Sequence, residues 1–221
     1  MTSHPLDRPV WHAFTGPQAA MAIRSGDAVR LDPSFGPFAA NASATTAGFS
    51  GAGPLWFVEA EKVAPADGFV VVRSAPLVQM VAHRRHSGPE DGEDIVALGE
   101  DDAADMAALA HATEPGPWGT ATHRFGGFYG LRDEGRLVAM AGTRMRPDAS
   151  FAEVSGVCTD PGVRGRGHAR RLMLWVMTEM ADRGETPFLH SYAANPGAIS
   201  LYRSLGFEER REMTVTIMDK V

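Results

Sequence analysis

The chain has 221 residues, and its 27 acidic against 21 basic side chains give a formal net charge of -6. This balance argues against broad attraction to DNA or RNA, whose binding proteins usually carry a basic face. No apolar run approaches the roughly 20 residues that a membrane span needs, and the N-terminus lacks the basic-then-apolar layout of a secretory signal. The single cysteine, Cys158, cannot form an intrachain disulfide, which fits a reducing compartment. We therefore expect a cytoplasmic protein with no nucleic-acid or membrane partner.

The N-terminal part of the chain mixes short helical and strand signals. Residues 39–53 are rich in small side chains and predict a loop or linker. Strands are expected in 54–63 and 68–82, where β-branched and aromatic residues cluster between Pro and Gly. The charged stretch 83–94 is interrupted by Gly and Pro and predicts a boundary. The expected division is an N-terminal α/β region over 1–90 and a second domain over 91–221.

The next segment predicts a helix followed by three strands. Residues 100–113 favour a helix whose apolar side chains share one face. A hairpin is expected from strands at Phe128–Arg132 and Leu137–Met145, which flank a Gly-containing turn. Residues 151–159 predict the third strand, in which Gly156 marks a bulge.

The last segment alternates helices and strands. Apolar residues recur every three or four positions over 169–180, which predicts a helix with one buried stripe. A strand over 187–192 precedes a helix that starts at the N-cap Asn195 and stops at Gly206. A final strand covers 209–218. The order α, βββ, α, β, α, β predicts an α/β fold in which helices flank a mixed central sheet.

The segment "DPGVRGRGHARRL" (160–172) leads from a strand through a Gly-rich turn into a helix. Backbone N–H groups in such a turn and the positive end of the helix dipole together form an anion site. Gly165 and Gly167 let the backbone approach a ligand closely. The segment lacks the Gly-Lys-Ser/Thr of a Walker loop, and the third glycine of the dinucleotide fingerprint is missing.

Two motifs in this region resemble those of one family. The pattern Arg164-x-x-Gly167-x-Ala169 is similar to the pyrophosphate loop of the GCN5-related N-acetyltransferase (GNAT) superfamily. About thirty residues further on, "NPGAISLYRSLGF" resembles the second signature of that superfamily. The resemblance covers residues 95–221 and is closest to the glycine-acyltransferase-like branch. It implies a mostly antiparallel central sheet flanked by helices, with the N-terminal region as a degenerate copy of the fold. The residues that match the second signature are Asn195, Ala198, Leu201, Tyr202, Leu205, Gly206 and Phe207.

The resemblance also implies a binding site for acetyl-CoA. Backbone groups of three residues, Val157, Cys158 and Thr159, would pair with the pantetheine arm as an added strand. The pyrophosphate would lie on the loop that begins at Arg164, and Asn195 either caps its helix or reaches CoA. No Cys or carboxylate cluster completes a metal site with His83 and His86, so we expect no metal. The loop residues expected to bind the pyrophosphate are Arg164, Gly165, Arg166, Gly167, His168 and Ala169.

Acyl transfer to an amine needs an acid and a base. Tyr202 falls where many members of the family have a tyrosine that protonates the departing thiolate; the alternative is a packing role. Glu153, on the strand that leads to the pantetheine contact, is the expected base, acting directly or through water. The alternatives are a solvated carboxylate at Glu153 and His190 as a reserve base. Cys158 is expected to pack in the core rather than to act as a nucleophile.

These expectations describe an acyl-CoA-dependent N-acyltransferase. It would transfer acetyl from acetyl-CoA to a primary amine of a small molecule or amino acid by direct attack on the thioester. Two alternatives stay open, namely a non-catalytic acyl-CoA-binding regulatory module and a protein N-terminal or lysine acetyltransferase. A homodimer is also left open.

Overall fold

The computed structural model of the chain describes residues 4–49, 53–84, 88–89 and 92–221. Its regular elements alternate along the chain much as the sequence predicts. The helices are α1 (Pro9–Thr15), α2 (Ala103–Thr113), α3 (His168–Asp182) and α4 (Pro196–Ser204). The strands are β1 (Ala22–Ser25), β2 (Ala28–Leu31), β3 (Ala39–Asn41), β4 (Leu55–Glu59), β5 (Phe69–Val81), β6 (Val96–Leu98), β7 (Phe128–Asp133), β8 (Arg136–Thr143), β9 (Phe151–Thr159), β10 (Thr186–Tyr192) and β11 (Glu208–Lys220).

The local signals in the C-terminal part are confirmed. In α2 the buried side chains are Met106, Leu109 and Ala110, which form the single apolar face that the sequence predicts. In α4 the Asn195 side chain accepts a hydrogen bond from the first-turn amide of Ala198, as an N-cap does. The hairpin of β7 and β8 and the strands β9, β10 and β11 follow the predicted order.

The central sheet has the strand order β4-β11-β5-β10-β9-β8-β7-β6. Every neighbouring pair is antiparallel except β9 and β10, which run parallel. One apolar core contains side chains of α1 and α2, and another contains side chains of α3 and α4. The predicted fold, a mostly antiparallel sheet flanked by helices, is confirmed.

Strands β9 and β10 separate part-way along the sheet. They are paired only where Phe151–Glu153 meets Thr186–Phe188. Beyond that point β9 continues beside β8 to Thr159, and β10 continues beside β5 to Tyr192. The far end of β9 therefore has one edge that is open toward the gap between the two strands.

A bulge in β9 changes which side chains face each core. Ser155 pairs with Gly142 and Cys158 with Met140, so β9 has one extra residue over this interval. Gly156 sits in the bulge with a φ of 63°, as predicted. Because of the extra residue, Cys158 packs in the core that includes α2, and Val157 packs against the core that includes α3.

The central sheet contains strands from both sides of the predicted boundary near residue 90. Strands β4 and β5 pair with β11, and β5 also pairs with β10. The boundary therefore does not separate two sheets, and part of the 83–94 stretch (85–87 and 90–91) lies outside the described residues. The loop predicted over 39–53 is wrong at its start, because 39–41 form the buried strand β3 of a smaller β1-β2-β3 sheet. No helix in the described ranges is long and apolar enough to span a membrane.

Candidate active site

A cleft of about 560 Å³ opens where β9 meets the start of α3. Gly165 and Gly167 have φ values of 80° and 82°, which L side chains rarely adopt. A side chain built on either glycine would meet no protein atom within 4 Å, so both residues border open space. The first helical hydrogen bond of α3 runs from the Arg171 amide to the Gly167 carbonyl at 3.1 Å, which leaves the preceding amides for an anion.

Two buried polar atoms on this cleft also lack a partner among the described residues. They are the hydroxyl oxygen of Thr159 and the Nδ1 atom of His168. Both atoms are covered by the protein, although their residues line the cleft. The positive φ of the two glycines, the free amides before α3 and the open edge of β9 fit the pyrophosphate and pantetheine arm of CoA.

The structure brings most of the predicted CoA-binding residues to this cleft. Arg166 is exposed and does not line it. Asn195 borders a second cavity instead, and its side-chain oxygen accepts the 3.1 Å hydrogen bond of the helix cap. Arg164 donates from Nε to the carbonyl of Thr159 at 3.2 Å, which ties the loop to the end of β9. The predicted residues that line the cleft are Val157, Cys158, Thr159, Arg164, Gly165, Gly167, His168 and Ala169.

The second cavity, of about 280 Å³, adjoins the first. Tyr202 lines both cavities, and its hydroxyl makes no hydrogen bond to any residue that the structure describes. Burial raises the pKa of the Tyr202 phenol above its ordinary value of 10.0. The phenol is therefore protonated at neutral pH and can donate a hydrogen bond at the junction. The residues common to both cavities are Thr113, Val157, Ala198 and Tyr202.

Glu153 lies at the second cavity in a buried polar cluster. Its carboxylate accepts hydrogen bonds from Nε and Nη2 of Arg144 at 2.9 and 3.1 Å, and His190 Nδ1 is 2.9 Å from Oε1. Burial alone would raise the pKa of this carboxyl, but the charge and hydrogen bonds of Arg144 and His190 outweigh it and lower the pKa from 4.5 to about 2. A base that must take a proton near neutral pH needs the opposite shift. The geometry therefore disfavours the predicted role of Glu153 as a direct base.

Cys158 is a buried residue in the wall of the first cleft. Burial raises the pKa of its thiol from 9.0 to about 11, against the smaller opposing effect of a hydrogen bond with Thr113. A protonated, buried thiol is a poor nucleophile, which agrees with the expected packing role.

The sequence did not point to several residues of the second cavity. Phe38 and Trp56 form part of its wall, with ring centroids 6.3 Å apart. The Arg144 guanidinium lies over the Phe38 ring, with its Cζ 4.5 Å from the centroid. Both aromatic residues come from the N-terminal part, and no local motif indicates that they meet Arg144. For Ala198, which lines both cavities, the signal was present, because it belongs to the second motif.

Comparison with known proteins agrees with this geometry. A family model described as FR47-like protein matches residues 128–216. A crystal structure of a putative acetyltransferase from the GNAT family of Novosphingobium aromaticivorans is 55% identical, with 99% of this chain and 100% of that chain covered and a TM-score of 0.95. This chain belongs to the GNAT family. The superfamily predicted from the two motifs is confirmed, and with it membership in a family of N-acetyltransferases.

Curated relatives match shorter parts of this GNAT chain. The N-alpha-acetyltransferase RimI of Mycobacterium tuberculosis is 38% identical over 85 residues, which cover 37% of this chain and 51% of that protein. The mycothiol acetyltransferase of Mycolicibacterium vanbaalenii is 29% identical over 152 residues, which cover 61% of this chain and 48% of that protein. The matched segments thus span about half of these relatives. These matches do not support the glycine-acyltransferase-like branch in particular, which stays a prediction.

The described part of the chain contains no candidate metal site. Among the residues that the structure describes, no group of three or more His, Cys, Asp or Glu side chains is placed to hold an ion. His83 is described but His86 lies outside the described residues.

Proposed function

We propose that this GNAT protein transfers an acetyl group from acetyl-CoA to the primary amine of a small molecule. The observation that carries the proposal is the junction of two cavities at Tyr202. One cavity has the features of a CoA site, and residues of the N-terminal part, among them Phe38 and Trp56, form part of the wall of the other. A thioester held at the junction would face an amine that enters from the opposite side.

The CoA cleft would bind the donor through backbone groups. The open edge of β9 at Val157–Thr159 would pair with the pantetheine arm, and the amides of Gly165–Ala169 would hold the pyrophosphate. Thr159 and His168 also line this cleft. Arg166 is exposed, and we assign it no direct contact.

In the proposed reaction the neutral amine nitrogen attacks the thioester carbonyl, so a C–N bond forms and the C–S bond breaks. Tyr202 gives its phenolic proton to the leaving thiolate and regains a proton from water after the reaction. The nitrogen loses its extra proton to water, because the Glu153 carboxylate is already bound by Arg144 and His190. Glu153 is in this proposal a positioning residue, which holds the Arg144 guanidinium against the cavity wall.

The second cavity favours a compact acceptor. Its volume of about 280 Å³ is at the lower end for ligand pockets, which span about 300–1,000 Å³. The buried charges of Arg144 and Glu153 neutralise each other through a two-point ion pair. Such a site suits a small amine with an uncharged body better than a polyamine. The curated relatives support an amine acceptor in general: one is an N-alpha-acetyltransferase and one a mycothiol acetyltransferase.

We also propose a cytoplasmic location, for which the free, buried Cys158 is the support.

A thiol-release assay with acetyl-CoA and a panel of acceptors tests the proposal. We expect release of CoA with small monoamines, weaker release with amino acids and polyamines, and weakest release with peptides that offer an N-terminus or a lysine. A peptide that surpasses every small amine would instead establish a protein acetyltransferase. Binding of CoA without turnover of any acceptor would identify a regulatory module and refute the enzymatic proposal.

Replacing Gly167 with valine is expected to weaken CoA binding at least tenfold. The valine side chain would occupy the open space of the anion site and keep the pyrophosphate away from the loop amides. A tenfold loss corresponds to about 1.4 kcal/mol of binding free energy. The strain of a β-branched residue at a φ of 82°, about 1–2 kcal/mol, lowers the stability of the folded protein instead. Isothermal titration calorimetry with CoA measures the effect.

Gly184→Val is the matched control for this substitution. Gly184 lies beyond the other end of α3 and has a φ of 76°, and it also borders open space. Both variants should lose similar stability in thermal unfolding, but only Gly167→Val should lose CoA affinity. Equal CoA affinities in the two variants would show that the loop does not hold the pyrophosphate.

A further inference from the structure

Gln79 on β5 is a fully buried amide whose hydrogen bonds all have defined partners. Its Oε1 accepts from Nη1 of Arg210 at 2.8 Å, and its Nε2 donates to the carbonyl of Leu6 at 2.8 Å. Arginine can only donate and a carbonyl can only accept, so the two ends of the amide are fixed. The remaining hydrogen on Nε2 is directed at His190, whose Nε2 is 3.0 Å away.

This orientation determines where His190 carries its proton. A nitrogen that faces an N–H donor at 3.0 Å must supply a lone pair, so Nε2 of His190 is the acceptor. The ring proton is then on Nδ1, which lies 2.9 Å from the Glu153 carboxylate. A proton on Nε2 would point at the amide hydrogens of Gln79, which cannot turn without breaking the bonds to Arg210 and Leu6.

We propose that Gln79 is a positioning residue that keeps His190 in its neutral Nδ1–H form, so that His190 serves only as a hydrogen-bond donor to Glu153. Both ring nitrogens are then engaged by the protein, and His190 presents only ring carbons to the acceptor cavity. His190 is therefore not the base of the reaction. The part of this inference that concerns turnover rests on the proposed function, whereas the tautomer is a property of the folded protein alone.

The network extends from the cavity to the N-terminal segment. Arg144 binds Glu153 on the cavity side, and Arg210 on β11 joins Gln79 to Asp7 through a 2.7 Å hydrogen bond from Nη2. The network thus contains two pairs of opposite charge, Arg144 with Glu153 and Arg210 with Asp7. The neutral side chains of His190 and Gln79 lie between these two pairs. This arrangement explains why a neutral imidazole is accommodated between an amide and an ion-paired carboxylate.

Nitrogen-15 NMR of the histidine side chains tests the tautomer directly. His190 signals are assigned by their loss in His190→Gln, since the chain has 8 histidines. At pH 7 we expect a protonated Nδ1 and an unprotonated Nε2 in the wild-type protein. Gln79→Glu replaces the donor with an acceptor, so both nitrogens of His190 should carry protons in that variant. A wild-type spectrum with the proton on Nε2 would overturn the proposal, whether or not any variant folds.

Steady-state kinetics test the consequence for turnover. A glutamine at position 190 can donate to Glu153 and accept from Gln79, so His190→Gln should retain kcat within about tenfold, whereas loss of a general base costs about 100-fold or more. Gln79→Met should lower kcat while the KM for acetyl-CoA stays unchanged, because the CoA cleft is not touched. Met80→Leu, at the adjacent buried position, controls for packing.

The outcomes separate this inference from the proposed function. If folded His190→Gln loses as much kcat as His190→Ala, by 100-fold or more, His190 acts as a base and the inference fails. If no amine is acetylated by the wild-type protein, the proposed function fails, and the NMR result still decides the tautomer. If the spectrum shows the expected Nδ1–H form and His190→Gln is active, both the inference about His190 and the proposed function stand.

Discussion

Replacing Tyr202 with phenylalanine is expected to lower kcat by about 100-fold or more and to leave the Kd for CoA within about twofold. A positioned general acid contributes about 10²–10⁴ to the rate, and the substitution removes only its hydroxyl. The ring remains to line both cavities and to contact Phe207, whose centroid is 6.2 Å away. The measurement is CoA release at saturating acetyl-CoA, combined with calorimetric titration of CoA.

Tyr129→Phe is the control for the loss of a hydroxyl. Tyr129 lies on β7 against Trp175, outside both cavities, and its variant should keep the wild-type kcat.

Because burial raises the pKa of the Tyr202 phenol, the acid stays protonated through the neutral range and kcat should not fall on its account below about pH 10. A Tyr202→Phe variant with unchanged kcat would reduce the side chain to a packing role.

The parts of the fold that the sequence predicted are those with local causes. The caps of α4 depend on Asn195 and Gly206, and the Gly-rich loop before α3 depends on residues that are adjacent in the chain. The bulge at Gly156 was predicted as well, but a predicted bulge does not by itself show which side chains face each core. Only the register with β8 shows that Cys158 and Val157 face different cores. Side chains of a regular strand alternate between its two faces, and an extra residue shifts this alternation. The sequence alone therefore does not assign Cys158 and Val157 to their cores.

The parts that the sequence did not predict depend on contacts between distant segments. Nothing within β4 or β5 indicates that they add to the sheet beside β11, since strand pairing is set by the whole fold. For the same reason Phe38 and Trp56 could not be assigned to the second cavity. Arg144 lies only nine residues from Glu153, but their pairing requires the turn between β8 and β9, and it lowers the pKa of Glu153, the opposite of what a base needs.

Replacing Glu153 with alanine is expected to lower the free energy of unfolding by about 3–5 kcal/mol. The substitution leaves the Arg144 guanidinium, whose side chain is 14% exposed, without its carboxylate. It also leaves the His190 Nδ1–H without an acceptor. Urea denaturation at pH 7 measures the loss. The double variant Arg144→Met with Glu153→Leu leaves no charge unpaired. It should therefore lose less stability than the sum of the losses measured for Arg144→Met and Glu153→Leu alone.

Acid titration of stability gives an independent check on the same residue. The pKa of Glu153 is about 2 in the folded protein, compared with an ordinary value of 4.5, so the folded state binds its proton more weakly than the unfolded state does. The stabilisation by the ionised carboxylate is therefore complete above about pH 5 and is lost as the pH falls from there toward 2. This difference corresponds to about 3 kcal/mol. Glu153→Gln should show a flatter decline in stability over this interval than the wild-type protein. Parallel declines would mean that Glu153 titrates normally, and the carboxylate would then be available as the base that the sequence predicts.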